Sequence, residues 1–110
     1  MSAANNTVTI KKGDTDRFFA DQLRVDGTPT DLTGATVKFL LKPATGGAAK
    51  VNASASIVTA AEGRVKYAPQ PADVDTAGVF NQEWEVTIAG KVLTYPTDGY
   101  NTVNIVADLA

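Results

Sequence analysis

Two pairs of carboxylates, Asp14 with Asp16 and Asp73 with Asp75, have the alternate spacing with which calcium loops surround a hard cation with oxygen. Neither is followed by the further oxygen donors and distal Glu of such a loop. They read instead as turn carboxylates accepting backbone N–H groups, and no metal is assigned. Glycosidic acid/base work requires a pair of carboxylates in a cleft that raises one pKa, whereas Glu83 and Glu85 both fall on the solvent parity of a strand-like segment. Gly46-Gly47 is not followed by Gly-Lys-Ser/Thr and reads as a loop, not a phosphate cradle. Lys38, Lys42, Arg64 and Lys66 lie on outward parities, where charges blunt exposed sheet faces and edges. The chain has no His and no Cys, which removes the commonest general base, thiolate nucleophiles, disulfides and the commonest transition-metal ligands. No catalytic residue and no cofactor is assigned, and a non-enzymatic protein is expected.

Charge narrows the partners. Ten basic and twelve acidic side chains give a formal charge of −2, leaving no excess positive charge for a phosphate backbone or an anionic membrane. The N-terminal segment lacks the basic and apolar regions of a signal peptide, and no apolar run approaches the roughly 18 residues of a membrane helix. Synthesis in a reducing cytoplasm is expected. Among aromatics, Trp84 shares the inward parity of Phe80 and Val86 and reads as a core anchor rather than a sugar platform, whereas Tyr95 and Tyr100 read as exposed.

These side chains must be positioned by strands. Val, Ile and Thr make up 30 of the 110 residues, and branching at Cβ suits a pleated surface better than a helix. Residues 7–11 alternate with period two; residues 17–25 place Phe19, Leu23 and Val25 on one parity, interrupted by Asp21 in a bulge or solvent-facing stretch. Val37, Phe39 and Leu41 point one way and Lys38 and Lys42 the other. Residues 43–49 form a flexible exposed loop, residues 51–59 one weakly packed edge strand, and Val65 and Tyr67 face inward. Phe80, Trp84, Val86 and Ile88 share one parity and form the spine of the core; with Phe39 they are the expected core anchors. Ala89-Gly90-Lys91 signals a tight hairpin into residues 92–95, and residues 100–106 form the last strand. The segments predict an all-β, antiparallel sandwich of about 7 to 8 strands. It forms a single domain over residues 7–110, preceded by a flexible arm, residues 1–6.

The stretch Asp75-Thr76-Ala77-Gly78-Val79-Phe80, followed by Trp84, resembles the corner leading into the sixth strand of immunoglobulin-like domains. A closer resemblance runs through Thr9-Ile10-Lys11-Lys12-Gly13-Asp14, Leu23 to Asp31 with Leu32-Thr33-Gly34-Ala35-Thr36-Val37-Lys38-Phe39, and Gly63-Arg64-Val65-Lys66-Tyr67. It continues through Asp75-Thr76-Ala77-Gly78, Glu83-Trp84-Glu85-Val86 and Thr94-Tyr95-Pro96-Thr97-Asp98-Gly99-Tyr100. In order and spacing this set is similar to the N-terminal, immunoglobulin-like domain of tailed-bacteriophage upper baseplate proteins. The resemblance implies a virion structural protein docking as a module, in multiple symmetric copies, on other proteins of the baseplate, tail or capsid surface for assembly, attachment or decoration. The alternative, from a different class, is a cell-surface or carbohydrate-binding adhesion module, with weak host-surface glycan contact. Because the inward parities are committed to one core, the candidate partner contacts are Asn5, Asn6, Tyr95, Tyr100, Val106 and Leu109.

Overall fold

The computed structural model describes residues 6–97, 99–107 and 109. The strands are β1 (Thr7–Lys11), β2 (Phe19–Gln22), β3 (Arg24–Val25), β4 (Thr28–Pro29), β5 (Thr36–Pro43), β6 (Val51–Ser54), β7 (Ser56–Thr59), β8 (Arg64–Tyr67), β9 (Gly78–Ile88), β10 (Lys91–Tyr95) and β11 (Asn101–Val106). Short 3₁₀ turns occupy Ala60–Glu62 and Pro71–Val74. The larger sheet runs β1-β11-β9-β5-β6, with β10 also on β9; the smaller runs β2-β8-β7, and β3 and β4 form a separate hairpin. The architecture is an all-β, sandwich-like domain.

β9 organises it. Along one side it pairs with β5 from Phe80 to Thr87; along the other, its first half pairs with β11 and its second half with β10. The β9–β10 turn is a two-residue loop, Ala89 and Gly90, both at positive φ (52° and 78°), the backbone that matches strand twist in a tight hairpin. On its inward parity β9 buries Phe80, Gln82, Trp84 and Val86. Phe39 is fully buried at the centre, stacked on Phe19 (5.0 Å between centroids) and Tyr67 (4.4 Å) and meeting Trp84 edge-on (5.2 Å). Ile88 packs partly buried at the rim.

Three expectations require correction. The larger sheet is mixed, because β1 pairs with β11 in parallel, Thr7 opposite Thr102 through Lys11 opposite Val106. A parallel pair needs a long crossover, and here the rest of the domain supplies it. Residues 51–59 are not one strand: β6 pairs with β5 and β7 with β8, and between them the Ala55 N–H donates to the Val37 carbonyl at 2.8 Å. Ala53, Ala55 and Ile57 all pack against the core, so the inward parity continues while the chain changes sheet. Residues 17–25 divide at Leu23, which is buried, while Val25 is exposed and Asp21 turns inward. The break follows from Gly63, whose carbonyl accepts the Leu23 N–H at 2.8 Å. Residues 43–49 form turns tied down by Ala44 N–H to the Val79 carbonyl (3.0 Å) and, just beyond, Lys50 N–H to the Leu41 carbonyl (2.7 Å).

Candidate functional site

The inward turn of Asp21 creates the most concentrated polar site inside the domain. β2 carries Asp21, paired across to Val65; β9 carries Gln82 between Phe80 and Trp84; β11 places Asn101 directly opposite Gln82. Gln82 and Asn101 are both 4% exposed. Asn101 Nδ2 donates to Gln82 Oε1 at 2.8 Å and reaches Asp21 Oδ2 at 3.4 Å, while Asn101 Oδ1 accepts the Asn6 backbone N–H at 3.0 Å. Asn6 Nδ2 donates to Asp21 Oδ1 at 3.3 Å, an oxygen that also accepts the Gln22 N–H at 2.8 Å. Thr102 N–H donates to the Asn6 carbonyl at 2.8 Å.

Burial raises the Asp21 pKa above the ordinary carboxylate value, opposed by donation from Gln22, Asn101 and Asn6 and by the neighbouring Trp84 indole N–H. The Trp84 indole N–H stabilises the anion, yet it makes no hydrogen bond of full geometry to any acceptor among the described residues. A cavity of about 20 Å³, the size of one water, lies among Asn6, Asp21, Gln82, Trp84 and Asn101. Its carboxylate is met by amides and an indole, so the arrangement joins the two sheets to each other and to the residue entering β1. Sequence reasoning missed it, although Gln82 on the parity of Phe80 and Trp84 was a readable signal: a polar side chain among core residues needs a partner.

The residues singled out in the sequence are dispersed. Tyr95 is corrected: it is 2% exposed, pairs across β10 with Trp84, and its hydroxyl shares a 2.9 Å hydrogen bond with Thr30 Oγ1. Tyr100 is 53% exposed. Asn6 is exposed but committed to the polar site; Val106 is half-buried on β11, Leu109 is exposed, and Asn5, with the rest of residues 1–5, lies outside the described residues. Asp73 Oδ2 accepts from the Tyr67 hydroxyl (2.5 Å) and the Gln70 N–H (2.8 Å), and Asp75 Oδ1 accepts from Lys50 Nζ (2.6 Å) and Thr76 Oγ1 (2.8 Å). Asp14 and Asp16 are exposed. Among the described residues no three metal-ligating side chains cluster to hold an ion. The basic groups are scattered rather than striped: Arg64 pairs with Glu62, and Lys66 lies over the Phe18 ring.

Apolar surface concentrates at the β9–β10 hairpin. Leu93 pairs with Val86 on the inward parity but is 45% exposed, and Val92 on the other face is 60% exposed. The inner face of the hairpin thus extends past its cover, leaving a groove of about 530 Å³ lined by Ile88, Leu93, Tyr95 and Lys91, among others. Among the described residues β10 and β1 also have open edges, each with a neighbouring strand on one side only.

Fold and surface together define a class: a sandwich-like β domain with an aromatic core, an internal polar tie between its sheets and exposed strand edges. Within solved structures this chain is similar to the N-terminal domain of phage TP901-1 ORF48, with a TM-score of 0.66 and 16% identity, over 96% of this chain and 90% of that one. No protein-family model and no curated protein sequence matches the chain. The likeness establishes a fold shared with a domain of a phage protein. No helix among the described residues is long and apolar enough to cross a membrane.

Proposed function

We propose that this chain is a non-enzymatic structural protein of a tailed-phage virion, docking in several copies on neighbouring proteins of the baseplate, tail or capsid surface. The observation that carries the reading is the near full-length likeness to a phage domain, which agrees with the ordered sequence resemblance to upper baseplate proteins.

The topology supplies a physical basis for such a role. Because β1 and β11 run in parallel along one edge, the chain enters beside Thr102 and leaves beside Lys12, whose N–H donates to the Val106 carbonyl at 2.7 Å. The two chain directions are separated by a five-residue strand, roughly 16 Å. A module built this way reaches neighbours in two directions without disturbing its core. The exposed β10 edge and the groove beneath Leu93 offer main-chain and apolar contacts to a neighbouring protein.

The test is the composition of purified particles from a phage or induced prophage encoding the chain. Mass spectrometry should find it at stoichiometric occupancy, and electron cryo-microscopy should place its density in a symmetric ring or lattice. Expression in the infected cell with no chain in purified particles would overturn the reading.

A further inference from the structure

The outer face of the larger sheet carries a groove of about 470 Å³, within the size range of small-molecule sites. Its floor follows from strand register. Leu40 on β5 stands opposite Asn52 on β6 and opposite Glu83 on β9. Tyr100 immediately precedes Asn101, which pairs with Gln82, so it lies next in line beyond Glu83. One row across the sheet therefore reads Asn52, Leu40, Glu83, Tyr100. The adjoining row brings Lys42 opposite Asn81. The turn after β5 raises a wall through Pro43, Ala44, Gly46 and Ala49, and Tyr100 stands at the other side.

These side chains are unspent. Those of Asn52, Asn81, Glu83, Lys42 and Tyr100 make no hydrogen bond, ion pair or ring contact with any described residue. Glu83 is half-buried, and that burial alone raises its pKa, so its carboxylate has lost water without gaining a partner. The groove offers two amides, each a donor and an acceptor, one carboxylate acceptor, one ammonium donor, an apolar floor at Leu40 and an aromatic ring 53% exposed. Lys42 and Glu83 cancel in charge, which favours a neutral ligand. A peptide strand is a poorer match, since β5 lies between β6 and β9, and β9 between β5 and the β11 and β10 strands, so neither offers an open edge for strand addition. A sugar ring combines what the groove lacks: hydroxyls that donate and accept, and a C–H face to lie against Leu40 and Tyr100.

We propose that this groove binds a neutral saccharide of one or two rings, with Tyr100 and Leu40 against the C–H face, Glu83 accepting ring hydroxyls, and Asn52 and Asn81 fixing orientation. The site is separate from the β10 surface invoked for assembly, and either proposal can fail alone.

The experiment titrates the ¹⁵N-labelled 110-residue chain with N-acetylglucosamine, glucose, galactose and rhamnose, following backbone amide shifts. At least one sugar should give saturable shifts at Leu40, Asn52, Asn81, Glu83 and Tyr100. Tyr100→Ala should abolish saturation and Glu83→Gln should weaken it about tenfold, a loss of about 1.4 kcal/mol. Leu93→Ser, away from the groove, should leave binding unchanged, and the dispersed spectra of all three variants report that each remains folded. No saturation with any of the four sugars, or saturation that survives Tyr100→Ala, overturns the proposal. Loss of particle incorporation in Tyr100→Ala without sugar binding by the parent chain would also overturn it, by assigning the groove to a protein neighbour.

Discussion

Asp21 brings a carboxylate into the seam between the sheets, and among the described residues it is held by amides. Burial raises its folded-state pKa above the ordinary value of 3.8. Between those two values the folded chain binds a proton that the unfolded chain has released, so this group's contribution is fully present below the ordinary value and is lost as pH rises through the raised one. In urea unfolding across the acid range, wild-type stability relative to Asp21→Asn should increase as pH falls through this window. A pH-independent difference between the two proteins would mean that Asp21 titrates as it does in the unfolded chain. Asn6 makes the same point from the other partner: expected as a free contact, it is held by the polar site through both its side chain and its main chain.

Two turns decide how the elements meet. Gly63 sits at φ +68°, and a Cβ there would lie 2.7 Å from the Leu23 carbonyl oxygen and 2.8 Å from that of Thr30, both fixed backbone. Gly63→Ala combines left-handed strain with a clash that no side-chain rotation relieves, and should cost about 2 to 4 kcal/mol in chemical denaturation. A loss below about 1 kcal/mol would show that β2 and β8 separate easily there. Ala89 presents the opposite case: it occupies φ 52° in the β9–β10 turn, where Asn is better tolerated. Ala89→Asn should raise stability by about 0.5 to 1 kcal/mol, read as a higher denaturation midpoint with an unchanged denaturant slope.

At the scale of the whole molecule, the assembly reading places demands on the β10 edge. Val92 and Leu93 are 60% and 45% exposed, so replacing both with Lys should change the stability of the isolated chain by no more than about 1 kcal/mol. Charges along an open edge oppose strand addition and desolvation of the groove, so the same variant should fall several-fold in incorporation into particles, measured by quantitative mass spectrometry. Normal occupancy would move the contact to the β1 edge or to the segments beyond β11. The dimensions, 44 × 24 × 22 Å, describe an elongated body with little core to spare, and a partner must work with this surface as it stands.

Much of this was legible along the chain because alternation is a local property. Phe39, Phe80, Trp84 and Val86 share inward parities, and the structure buries all four; the Ala89-Gly90 turn announces the hairpin it makes. What parity cannot carry is which strand lies alongside which. The parallel β1–β11 pair joins residues about 95 apart, and the change of sheet at Ala55 leaves the alternation intact, so neither marks the sequence. The same blindness explains Tyr95 and Asp21. A tyrosine near a turn reads as exposed until Trp84 and Thr30 close around it, and an aspartate among apolar neighbours reads as an interruption until Asn101 and Asn6 arrive from distant strands. Sequence alone determined the alternation and, through it, the inward faces of the central strands, by side-chain shape and the two-residue period of the backbone. Tertiary structure alone decided the sheet order, the polar tie and the row Asn52, Leu40, Glu83, Tyr100 across the larger sheet, because each is a meeting of residues distant along the chain.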